Sequence, residues 1–106
     1  MTFLENFESF KKKLRNFSKI NANGFDNSQV LFEVRNFLTE YSDAILKYKQ
    51  ERIGAKIVNI YQSDDLKDLE VLENLIISFE QGNKYEKARV IQRLLEETER
   101  FENFII

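Results

Sequence analysis

The amino-acid sequence predicts an all-α protein: an antiparallel four-helix bundle with an unusually long second helix, assembled as a dimer. Three observations predict it. None of the 106 residues is Pro, so no position kinks a helix by removing a backbone donor. Apolar residues recur at intervals of three and four along most of the chain, the period of a single helix face, and no stretch alternates like a half-buried strand. The only turn-like clusters are Asn21-Ala22-Asn23-Gly24 and Gln81-Gly82-Asn83. They leave segments of helical length between them, and no linker divides the chain, so residues 1–106 are expected to form one helical domain.

The first helix is expected from Phe3 to Ile20. Thr2 with Glu5 three residues later matches a capping box. Phe3, Phe7, Phe10, Leu14 and Phe17 follow four–three spacing, which confines them to one narrow stripe. So heavy an apolar load must pack on something, and core is the expected destination. Gly24 and Gly82 both read as residues just past a helix end, where Gly takes the left-handed conformation without a Cβ penalty.

For the second helix, Asp26 with Gln29 forms the expected reciprocal cap, and Phe25 with Val30 the hydrophobic staple. No strong stop follows until Gln62-Ser63, which implies a helix of about 35 residues and roughly 50 Å. Val34, Leu38, Tyr41, Ile45 and Tyr48 share one face. Ile53, Ile57, Ile60 and Tyr61 share another, rotated by roughly 120°. Either the helix breaks near Gly54, or one continuous helix buries its two halves against different partners. The continuous helix is preferred because no cap residue accompanies the Gly.

The third helix is expected from Asp64 to Gln81. Ser63 or Asp64 is its cap, and Asp64, Asp65 and Asp68 complement the positive end of the helix dipole. The fourth runs from Lys84 onward, with Asn83 as cap and Glu86 at the third helical position, so the two should form a tight helical hairpin. Val90, Ile91, Leu94, Leu95, Phe101 and Ile105 cover roughly half of its circumference. That is wider than the stripe of an ordinary outer helix. This helix is therefore either central or covered by a second chain.

Composition restricts the chemistry. The chain has no His and no Cys, which removes the imidazole base, thiolate nucleophiles and the common ligands of zinc and other transition metals. No catalytic residue, cofactor site or metal site is assigned, and a non-enzymatic role is expected. The Asp64, Asp65 and Asp68 cluster does not fit a calcium loop, which needs alternating ligands, a Gly and a terminal Glu. Glu96 lies in the stripe of Arg93 and Arg100 and is read as their intrahelical partner, with Glu97 flanking it. The net charge of −2 provides no global attraction to nucleic acid or anionic lipid. The longest apolar runs are three residues, so no secretory signal or membrane span is expected and the cytoplasm is the default location.

Two basic groups are candidates for anion contact. Lys11, Lys12, Arg15 and Lys19 lie on the first helix, and Arg89 and Arg93 on the fourth. Most of them point away from the Phe stripe, as an ordinary solvated face does. Charge comes in blocks of alternating sign: residues 1–20 basic, 26–45 acidic, 47–56 basic and 61–82 acidic. Such blocks suit neighbouring helices with complementary rims, or self-association. The reading is a protein–protein interaction module (adaptor, regulator or assembly subunit) that self-associates, with a further protein partner allowed. Ile57, Ile60, Tyr61, Phe101, Phe104 and Ile105 would anchor the dimer. The alternative is a small nucleic-acid-binding regulator using the six basic residues above.

Overall fold

The computed structural model describes residues 6–54 and 62–105. Within them are four α-helices and one short 3-10 helix: α1 Phe7–Ser18, the 3-10 helix Ala22–Asp26, α2 Ser28–Gly54, α3 Gln62–Gln81 and α4 Lys84–Ile105. No residue among those described is in a strand. The helices pack around one hydrophobic core, with extents of 45 × 22 × 21 Å.

The Phe stripe forms the α1 side of that core. Phe7, Phe10 and Leu14 are buried and Phe17 packs on them; Phe3 and the Thr2–Glu5 cap lie outside the described residues. The last turn of α1 tightens, with Lys19 N donating to Asn16 O (3.3 Å) and Ile20 N to Phe17 O (3.1 Å). The chain then turns through the 3-10 helix, whose first residues are held by Asn21 Oδ1 accepting from Asn23 N at 3.0 Å. Gly24 therefore lies inside a helical turn instead of ending α1. What requires glycine there is space: a Cβ would come within 2.6 Å of Ile20 Cγ2.

The cap of α2 is one residue later than its sequence pattern implies. Asn27 Oδ1 accepts from Gln29 N (2.8 Å) and Val30 N (3.2 Å). Asp26 is tied into the preceding turn, and its carboxylate lies 3.3 Å from Lys84 Nζ. Phe25 is buried edge-to-face against Phe79, with centroids 6.0 Å apart, so it seats the turn on α3. Val34, Leu38, Tyr41, Ile45 and Tyr48 are all buried, as their spacing predicts, and Phe37 joins them. Within the described residues α2 reaches Gly54. Whether it continues is a question that falls on residues 55–61, outside the described residues.

Within the described residues α3 spans Gln62–Gln81, so Ser63 and Asp64, expected at its cap, lie inside the helix. Only Gly82 and Asn83 separate it from α4. Asn83 Oδ1 accepts from Tyr85 N and Glu86 N, both at 3.0 Å, and Glu86 Oε1 accepts from Asn83 N at 3.5 Å, the expected reciprocal cap. Gly82, like Gly24, is required by proximity and not by a left-handed backbone. A Cβ would lie 2.7 Å from Glu86 Cβ, an atom fixed by the α4 backbone. Gly82→Ala is thus expected to lower stability by about 1–3 kcal/mol, as overpacking does, read from the urea midpoint.

The described part of the wide apolar arc of α4, which leaves out Ile105, is accounted for within the chain. It packs against α1, α3 and the 3-10 helix, so Ile91, Leu94 and Phe101 are buried while Val90 and Leu95 pack at its flanks. The α2 helix packs on α1, α3 and the 3-10 helix, and its bulky aromatics span the interior. Tyr41 lies 5.0 Å from Phe10 and 5.7 Å from Phe37, and Tyr48 meets Phe101 edge-on at 6.3 Å.

Candidate interaction surface

The basic residues of α1 do not act as one group. Lys11 is 7% exposed. Its Nζ lies 2.9 Å from Oε1 and 2.8 Å from Oε2 of Glu102, and 2.8 Å from Glu8 Oε1. The Glu102 and Glu8 carboxylates hold its ammonium above the usual lysine range. Lys11 is therefore a clamp between α1 and α4, not a surface contact for an anion, which corrects the sequence reading. Its position foretold this: it is four after Phe7 and three before Leu14, on the edge of the stripe.

Arg15 is exposed, with Nη2 3.5 Å from Glu99 Oε1. Lys12, Lys19, Arg89 and Arg93 are exposed. Arg100 pairs with Glu97 at 3.6 Å, not with Glu96. Carboxylates thus occupy Lys11 and Arg15 of the first basic group.

Phe101 is 1% exposed, with its ring 5.9 Å from that of Phe7. It belongs to the core and offers nothing to a second chain, so it leaves the set of dimer anchors. The period explains this, because Phe101 continues the face of Leu94 and Thr98. Ile57, Ile60 and Tyr61 lie outside the described residues, as do the side chains of Phe104 and Ile105.

The sequence reading missed the outer edge between α2 and α3. Phe32 is 60% exposed, Leu46 50% and Ile77 59%. Phe32 and Leu46 are two heptads apart, which places them within about 40° on the outside of α2. Ile77 lies on α3 between Glu73 and Glu80, whose carboxylates both reach α2. Glu80 accepts from Arg35 Nε (2.7 Å) and Nη2 (3.1 Å), and Glu73 from Lys49 Nζ (2.7 Å). Between these ion pairs is an open groove of about 340 Å³, lined by Arg35, Leu38, Thr39, Ser42, Asp43, Ile76 and Glu80. Val71 and Tyr85 are the other exposed large apolar side chains among the described residues. The signal in the sequence was the seven-residue repeat Phe32, Thr39, Leu46, which runs outside the main α2 stripe.

The charged rim of this edge titrates in acid. Arg35 holds the Glu80 carboxyl below the usual 4.5, and Lys11 does the same to Glu8. A carboxyl whose folded value is lowered contributes stability above its unfolded value and loses it as pH falls through the folded one. The urea midpoint is therefore expected to drop between about pH 5 and 3. Glu80→Gln should make that drop shallower. The effect is small, since half-exposed pairs are screened by water.

Among the described residues no group of three or more carboxylates is placed to hold a metal ion, and no helix is long and apolar enough to cross a membrane. Compared with known proteins, the chain matches no family model, no curated protein and no solved structure.

Proposed function

We propose that this chain is a non-enzymatic protein–protein interaction module, an antiparallel four-helix bundle forming one domain, that self-associates as a homodimer. The observation that carries the reading is the exposure of Phe32 and Leu46 on the outer face of α2 and of Ile77 on α3, beside a core already filled by the chain's own aromatics. Exposed side chains of that size at one edge favour a partner, because covering them removes apolar surface from water. The antiparallel arrangement is supported by the order of the ion pairs. Lys11 and Arg15 on α1 meet Glu102 and Glu99 on α4 in reverse sequence order, and Arg35 and Lys49 on α2 meet Glu80 and Glu73 on α3 likewise.

The α2–α3 edge replaces Phe101 as the apolar contribution of the described residues to the interface. The competing reading, a nucleic-acid-binding regulator, loses Lys11 to its internal clamp and shares Arg15 with Glu99. It predicts binding that weakens steeply with salt. Light scattering at roughly 50 μM, where a complex of micromolar dissociation constant is formed, is expected to give the mass of a dimer. A monomer there, together with a salt-sensitive gel shift, would transfer the assignment to nucleic acid.

A further inference from the structure

We infer that the partner on the α2–α3 edge is a second copy of this chain, with its α2 laid antiparallel on this α2 about a twofold axis at Thr39. The inference rests on the self-association proposed above and deepens it by naming the seam and its register.

The outer face of α2 is self-complementary. A twofold axis at one helix residue brings the position n before it to the level of the position n after it in the other copy. Seven residues on either side of Thr39 stand Phe32 and Leu46, both largely exposed. Each Phe32 therefore meets the Leu46 of the other copy, twice, roughly 10 Å from the axis at 1.5 Å per residue. Four residues on either side stand Arg35 and Asp43, both exposed. Opposite charges thus lie level with each other on both sides of the axis.

The donor capacity for that pairing exists. Arg35 uses Nε and Nη2 on Glu80, which leaves Nη1 for a second carboxylate. Asp43 makes no ion pair among the described residues. At the centre, Thr39 is small and exposed, so the two helices can approach, and it borders the groove between α2 and α3. A parallel pairing in register would instead set Arg35 against Arg35 and Asp43 against Asp43, which like-charge repulsion opposes.

The absence of cysteine provides a direct test on the full chain. Helix axes about 9–10 Å apart, with Cα atoms about 2.3 Å from each axis, bring facing Cα atoms on the axis to about 4.4–5.4 Å, within disulfide range. Under mild oxidation Thr39→Cys is expected to become a covalent dimer in most molecules. Phe32→Cys alone should stay at the level of an exposed control, Asn16→Cys, while Phe32→Cys mixed with Leu46→Cys should cross-link. In sedimentation velocity, Asp43→Arg is expected to weaken dimerisation about tenfold or more, and mixing it with Arg35→Asp to restore it, each variant being confirmed helical by circular dichroism.

Efficient cross-linking of Phe32→Cys to itself would establish the parallel register and overturn the inference. So would a wild-type dimer that Asp43→Arg leaves intact, and in that case self-association stands while this seam is wrong. A wild-type chain that remains monomeric overturns self-association itself.

Discussion

Tyr41→Ala is expected to destabilise the protein by about 3–5 kcal/mol, the largest effect of any single truncation in the core. Tyr41 is fully buried. Its ring meets Phe10 and Phe37, and its hydroxyl lies 2.5 Å from Thr98 Oγ1. Thr98 is also fully buried, and its hydroxyl donates to Leu94 O at 2.6 Å. One hydroxyl has one proton, so Tyr41 donates to Thr98 and Thr98 to the α4 backbone. This relay satisfies both buried hydroxyls and fixes α2 against α4 at one level. Domains of this size are stable by only about 5–15 kcal/mol, so loss of the ring removes a large share.

Tyr41→Phe keeps the ring and removes the first link of the relay, for an expected loss of about 1 kcal/mol. It has a second signature. Burial pushes the Tyr41 hydroxyl well above its ordinary value of 10.0. For a group raised in the folded state, the contribution is complete below the unfolded value and disappears as pH rises toward the folded one. Wild-type stability should therefore fall above about pH 10, and Tyr41→Phe should make that fall less steep. Urea titrations at neutral and alkaline pH measure both effects.

Lys11→Met is expected to destabilise by roughly 2 kcal/mol, the second large effect. Replacing one partner of a buried pair leaves the other charge uncompensated, which for full burial costs about 3–5 kcal/mol. Glu102 retains 18% of its side-chain exposure, so water recovers part of that. The double variant Lys11→Met, Glu102→Leu should regain most of the loss, because no orphaned carboxylate remains. A double variant as unstable as Lys11→Met would mean that the lysine acts through its packed stem instead. Lys11 is raised in the folded state, so its contribution is lost only above its unfolded value of about 10.5 and leaves neutral pH unaffected.

Those two sites show what a one-dimensional pattern can and cannot reveal. The Phe stripe of α1 and the buried face of α2 were legible because burial against a core imposes the helical period directly on residue type. The Asn83–Glu86 cap was legible because it is local. Thr98 and Lys11 occupy stripe positions, between Leu94 and Phe101 and between Phe7 and Leu14, and a polar residue at such a place signals a buried partner. The identity of that partner depends on which helix lies opposite, and no spacing within one helix contains that. The same limit made Phe101 look available to a second chain, because the breadth of the α4 face is a consequence of its place between α1 and α3. The shift of the α2 cap from Asp26 to Asn27 is local but competitive. Both residues can cap, and the 3-10 turn seating Phe25 on Phe79 decides between them.

The α2–α3 edge was legible in part. The heptad Phe32, Thr39, Leu46 can be read from the chain, but only the folded arrangement separates it from the core face. Its mirror relation about Thr39, with Arg35 and Asp43 at equal distance, becomes meaningful once that face is known to be exposed.

Sedimentation equilibrium of the full chain tests self-association most directly. A monomer–dimer equilibrium is expected, with the weight-average mass rising from 12.7 kDa toward twice that value as concentration increases through the micromolar range, and a smaller rise for Asp43→Arg. A mass fixed at the monomer value up to roughly 100 μM, far above a micromolar dissociation constant, would contradict it.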